Sequence, residues 1–143
     1  MNLSVLFQER LLSDMGRLDL DNLEITDKDL WEAAPLANVR ALHFGNNPFV
    51  TVEGLKSLAS LKNDLQVLDL FNSGIRIDDA GLLIIVALFP RLKFLYFGGE
   101  SVTLSLEGLK ALAQCPELDI LMVDREEYED ELRKLFPKLK IET

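Results

Sequence analysis

The 143-residue chain holds one cysteine and one histidine, and each scarcity excludes a class of function. A single thiol closes no internal disulfide, so a disulfide-stapled secreted scaffold is excluded and a reducing, cytoplasmic (intracellular) compartment is expected. Cys115 stands before Pro116 with no basic neighbour to lower its pKa, which reads as a packed thiol and not a nucleophile. His43, between Leu42 and Phe44, has no second histidine and no placed nucleophile to work with, so no triad is visible and it reads as a surface residue facing solvent. The segment from Asp19 opens like a calcium loop, but its sixth position is Glu24 where glycine is required and its twelfth is Leu30 where glutamate is required. Non-enzymatic function, with no cofactor and no metal, is the expectation.

Positive charge is also short, with 15 basic residues against 24 acidic ones and a formal net charge of −9. Such a surface repels a phosphate backbone and an anionic bilayer, so neither nucleic acid nor a membrane is expected as a partner. Long apolar runs are missing too. The most apolar stretch, Leu82 to Phe89, is eight residues, against the roughly 20 needed to span a bilayer. Near the N-terminus, Gln8-Glu9-Arg10 interrupts the apolar residues and no basic segment precedes them, so no secretion signal is read.

What is present is apolar content, 48% of residues, distributed periodically. Leu65, Leu68 and Leu70 have counterparts at Val39, Leu42 and Phe44, at Leu92, Leu95 and Phe97, at Leu118, Leu121 and Val123, and earliest at Met15, Leu18 and Leu20. The intervals are 24, 26, 27 and 26 residues (15 to 39, 39 to 65, 65 to 92, 92 to 118). A fixed period in this range implies stacked supersecondary units, none able to bury its apolar face alone. The pattern L-x-x-L-x-L resembles the leucine-rich repeat, and its 26–27-residue spacing resembles the ribonuclease-inhibitor-like class.

The resemblance implies an α/β solenoid, a right-handed β-α superhelix of about five repeats. Parallel strands would line its concave face and helices its convex face. One domain over 1–143 is expected, with a capping helix over 1–14, repeats over 15–138 and a terminal edge strand over 139–143. The family places Asn or Cys nine residues into the motif, where the side chain satisfies turn backbone. Only Asn47 occupies that position here, the others being Leu23, Ser73, Glu100 and Glu126; Asn22, Asn46 and Asn72, one residue earlier, predict a shifted or partial ladder.

Helix starts are marked by Thr26, Thr51, Asp78 and Ser105, whose side-chain oxygens can take free N–H groups of a first turn. Asp27, Asp29, Glu53, Asp79 and Glu107 add favourable charge at the positive end of each helix, and the acidic run from Asp124 to Glu131 has the same explanation. Gly54, Gly81 and Gly108 share one position, where a missing side chain permits close approach. Pro35, Pro90, Pro116 and Pro137 end the helices.

Function then rests on surface shape. With Leu68 and Leu70 turned inward, alternation turns Val67, Asp69 and Phe71 outward. The same rule exposes Ala41, His43 and Gly45, then Phe94, Tyr96 and Gly98, and then Ile120, Met122 and Asp124. The expected partner-binding site is therefore Val67, Asp69, Phe71, Phe94, Tyr96, Ile120, Met122, Asp124 and His43, an apolar and aromatic patch with an acidic margin that also takes in Asp19 and Asp21. A contiguous patch with a polar rim marks a protein partner. The alternative is an assembly subunit. The third helix carries Leu83, Ile84 and Ala87 where its neighbours carry Lys56 and Lys110, Ser57 and Ala111, Ser60 and Gln114, which points to burial on a second side. A monomer, or weak self-association through Leu83 and Ile84, follows.

Overall fold

The computed structural model describes residues 11–12, 16–33, 36–98 and 102–142. Strands β1 (Leu11–Leu12) and β2 (Arg17–Asp19) lead to helix α1 (Asp27–Glu32), strand β3 (Ala41–His43) and the single turn α2 (Val52–Leu55), which continues as a 3-10 segment over Lys56–Leu61. Next come β4 (Val67–Asp69), β5 (Ile77–Asp78), α3 (Asp79–Leu88), β6 (Phe94–Phe97), β7 (Val102–Thr103) and a 3-10 segment over Gly108–Gln114. Strand β8 (Ile120–Val123), a short 3-10 turn over Glu126–Tyr128, helix α4 (Glu129–Leu135) and strand β9 (Lys140–Glu142) complete the described chain.

The main sheet runs β1-β2-β3-β4-β6-β8-β9, and every pairing in it is parallel except that of β1 with β2. Strands β5 and β7 form a separate parallel pair. Register follows the apolar pattern, since a one-residue slip would turn every leucine to the other face. Leu18 pairs with Leu42, Leu42 with Leu68, Leu68 with Leu95 and Leu95 with Leu121, and none of the five is exposed. They share one core cluster with Leu30, Leu55, Leu82 and Leu109 from the helical segments, so helices cover one face of the sheet and leave the other open.

Local chemistry sets the helix boundaries. Thr26 and Asp29 form a reciprocal capping box, the Thr51 hydroxyl accepts from the Glu53 N–H, and Asp78 accepts from the Gly81 N–H. Ser105 accepts from the Gly108 N–H ahead of a 3-10 segment, where a full α-helix is expected from the sequence. Helix α3 stops before Pro90, the Gly108–Gln114 segment before Pro116 and α4 before Pro137; Pro35 lies outside the described residues.

Gly54 and Gly108 have a shared purpose. A Cβ at either would collide with the carboxylate of Asp27 or Asp79, and those carboxylates are tied to the next helix start. Asp27 accepts from the N–H and hydroxyl of Thr51 at 2.7 and 2.5 Å, and Asp79 from those of Ser105 at 2.9 and 2.6 Å. At Gly81 the close neighbour is instead the Arg76 carbonyl.

Two expectations change. The capping helix over 1–14 lies outside the described residues except at Leu11 and Leu12, and there the backbone is extended, pairing antiparallel with Leu18 and Arg17. The asparagines one residue early do not form a ladder. Asn22, Asn46 and Asn72 are exposed and hold φ of 60°, 55° and 55°, the left-handed conformation that asparagine tolerates better than most residues. Asn47 alone is buried with all its polar capacity used: its carbonyl accepts from the N–H groups of Leu23 and Ile25, and its amide donates to the carbonyls of Leu20, Phe44 and Gly45. Among the described residues Ser73, at the corresponding place, takes only the Ile75 N–H.

Candidate interaction face

On the open face of the sheet the same register that stacks the leucines stacks their neighbours into rows. One row runs Arg17, Ala41, Val67, Phe94, Ile120 and Lys140, and the next runs Asp19, His43, Asp69, Tyr96, Met122 and Glu142. At the strand ends a third row forms from Asp21, Gly45, Phe71, Gly98 and Asp124: the Gly45 N–H donates to Asp21 at 2.7 Å, and a Cβ on Gly98 would lie 2.7 Å from both the Phe71 ring and the Asp124 Cβ. Adjacent strands lie about 4.8 Å apart, so Val67, Phe94 and Ile120 stand side by side along one row and Tyr96 and Met122 along the next. Every partner-site residue expected from the sequence falls on this face. All are half-buried apart from the exposed Asp124.

Two glycines shape the third row. Gly98 leaves room for the Phe71 ring, and Gly45, where a Cβ would crowd the Phe71 carbonyl and the Asp21 carboxylate, lines a depression. That depression, about 460 Å³, is lined by Asp21, Gly45, Asn46, Asp69, Phe71, Tyr96 and Met122. Alternation does not pick out Asn46, which lies just past the strand, or Glu142, which enters the second row only through β9. The signal that could have found the depression is the pair of glycines at matched positions on either side of Phe71.

The carboxylates are partly committed to backbone. Asp19 accepts from the Asp21 N–H and Asp69 from the Phe71 N–H, both at 3.0 Å, so the same two-residue turn leaves β2 and β4. From the sequence, His43 is expected to face solvent. It does lie on the open face, but its Nδ1 is 3.4 Å from Asp69 Oδ2 and only 17% of its side chain is exposed, because the neighbouring strand places a carboxylate directly beside it. Burial pushes the Asp69 carboxyl up, but hydrogen bonds from His43 and the Phe71 N–H outweigh that and hold it below the usual carboxylate range. Asp21 goes the other way. Burial raises it, the Gly45 N–H opposes, and the charges of Asp19 and Asp69 add to the rise. The Tyr96 phenol is raised by burial and by Glu142 and Asp69, so it stays a neutral donor at physiological pH.

Elsewhere, the helix face singled out in the sequence is partly open: Leu83 is 48% exposed, Ala87 is exposed and Ile84 is half-buried. The neighbours at the first of these positions are Lys56 and Lys110, both exposed and paired with Glu53 and Glu107 at 2.8 Å. Trp31, Phe49 and Leu106 are further exposed apolar side chains. Cys115 is buried, its thiol 3.5 Å from the Phe89 carbonyl and pushed up to about 11 by burial. No helix among the described residues is long and apolar enough to cross a membrane.

A scan against protein-family models finds no match to this chain, and a search of curated proteins finds no significant relative.

Proposed function

We propose that this chain is a leucine-rich-repeat solenoid acting as a non-catalytic protein-recognition module, with the open face of the sheet as its concave binding surface. The observation that carries the reading is the in-register assembly of Val67, Phe94, Ile120, Tyr96, Met122 and Phe71 on one face, bordered by Asp19, Asp21, Asp69 and Asp124. Aromatic and aliphatic side chains left partly open in a contiguous block gain from being covered by a partner, while the charged border sets orientation and approach. Support for the repeat architecture comes from the sequence period together with the matched leucine register and the role of Asn47. A protein partner in the cytoplasm, with no nucleic acid or bilayer surface involved, agrees with the net charge of −9 and the single buried thiol.

Tyr96 occupies the middle of the patch, between Asp69 and Met122. Central aromatic residues carry a large share of binding energy, so Tyr96→Ala weakens the cognate protein about tenfold or more, equivalent to roughly 1.4 kcal/mol. Isothermal titration calorimetry on a partner isolated by affinity capture reads this directly. Unchanged affinity in both Tyr96→Ala and Phe94→Ala, in folded protein, would move the interface off this face.

The second reading is a subunit of a larger assembly held through α3, and it is favoured by Leu83 standing 48% exposed in the row that carries Lys56 and Lys110. Light scattering separates the two, since the assembly reading requires self-association that Leu83→Lys removes.

A further inference from the structure

Resting on the concave-face reading, we infer that the depression between Asp21 and Phe71 is a pocket for one Lys or Arg side chain of a basic partner segment. Gly45 stands between Asp21 and Phe71 in the third row, and Tyr96 and Met122 of the second row line the depression with them. A volume of about 460 Å³ falls within the roughly 300–1,000 Å³ of built ligand sites. The walls are divided as a long cationic side chain is divided: apolar and aromatic surface for the methylene stem, carboxylates for the head.

Charge complementarity decides the occupant. Asp21 Oδ1 accepts from the Gly45 N–H, while Oδ2 bonds to no described residue, and no cation among the described residues pairs with Asp21. Asp69 on the opposite side is engaged by His43 and the Phe71 N–H, yet each carboxylate oxygen retains an acceptor site. Arg17 leans on Asp19, 3.9 Å away. The faces of Phe71 and Tyr96 attract an organic cation through their ring quadrupoles. A hard metal ion is the poorer fit, since it asks for six or more oxygen ligands and gains nothing from aromatic walls.

The test is a set of titrations monitored by amide chemical shifts, using N-acetyl-arginine methylamide, N-acetyl-lysine methylamide and the neutral N-acetyl-norleucine methylamide as probes. The cationic probes should shift the amides of Asp21, Gly45, Asn46 and Phe71 saturably, with a Kd of about 1–10 mM, the weak regime proper to one side chain. Norleucine should bind about fivefold or more weakly, and Asp21→Asn should weaken the cations by a similar factor without moving norleucine, since it removes charge and keeps shape. Equal binding of norleucine, or cation affinity unchanged by Asp21→Asn in protein with a folded spectrum, overturns the pocket assignment. The parent reading fails separately. A cognate partner weakened by Phe94→Ala but not by Asp21→Asn leaves the face and removes the pocket, whereas one indifferent to Phe94→Ala, Ile120→Ala and Asp21→Asn removes both.

Discussion

Replacing Asn47 with alanine removes a side chain that holds five backbone groups at once. The N–H groups of Leu23 and Ile25 lose their acceptor, and the carbonyls of Leu20, Phe44 and Gly45 lose a donor. Asn47 itself is fully buried, and Ile25 beside it is too. A buried polar group stranded by loss of its partner costs about 1–3 kcal/mol. The three carbonyls are less demanding than the two N–H groups, because carbonyls tolerate partial satisfaction better than orphaned donors do. Counting chiefly the two donors, Asn47→Ala should destabilise the chain by about 3–5 kcal/mol, at the upper end of what single substitutions do. Urea denaturation followed by circular dichroism gives the difference, with Asn46→Gly as the control. Asn46 is exposed at φ 55°, where glycine is at least as comfortable, so that variant should stay within about 0.5 kcal/mol of the parent. Asn47→Asp discriminates further: it keeps acceptors for Leu23 and Ile25 but places a charge against three carbonyls, so it should be no better than alanine at neutral pH. A loss under about 1 kcal/mol for Asn47→Ala would refute the idea that this side chain ties together the turns that follow β2 and β3.

Further predictions follow from the same packing and electrostatics. Leu68→Ala, at a site with no exposure and leucines in register on both sides, should cost about 2–5 kcal/mol by calorimetry, and an unchanged melting temperature would contradict the register. Leu83→Lys with Ile84→Ser should keep the circular dichroism spectrum and lower any self-association seen by light scattering, because both residues retain exposure; unfolding of the double variant would make the face internal. Asp69 and Asp21 oppose one another in acid. A lowered carboxyl pKa supplies stability above its unfolded value that is lost as pH falls through the folded one, and a raised pKa imposes a cost at neutral pH that is relieved on acidification. Asp69→Asn should therefore flatten the acid limb of the stability curve, while Asp21→Asn should raise the melting temperature at pH 7. Cys115 should react with a disulfide reagent only as fast as the chain opens, since its thiol is buried and protonated at neutral pH.

The sequence alone specifies which residues turn inward. Apolar side chains at fixed offsets can be buried together only if the strands they occupy share a register, and the helix starts were marked by Thr26, Thr51 and Asp78, whose side chains do cap first turns. It therefore also specifies the open-face residues, by alternation alone. What it did not contain is the distance between rows of different strands. The pairing of His43 with Asp69, Phe71 lying across Gly98, and the carboxylates of Asp27 and Asp79 filling the places of absent Cβ atoms on Gly54 and Gly108 all join residues 26 to 29 positions apart. Local propensity has no access to such contacts. Asparagine shows the division most clearly: two adjacent residues of one type, Asn46 and Asn47, take opposite roles, one as a left-handed turn residue in solvent and one as a buried link between two turns. Composition could not separate them, because burial is decided by the strand that packs alongside.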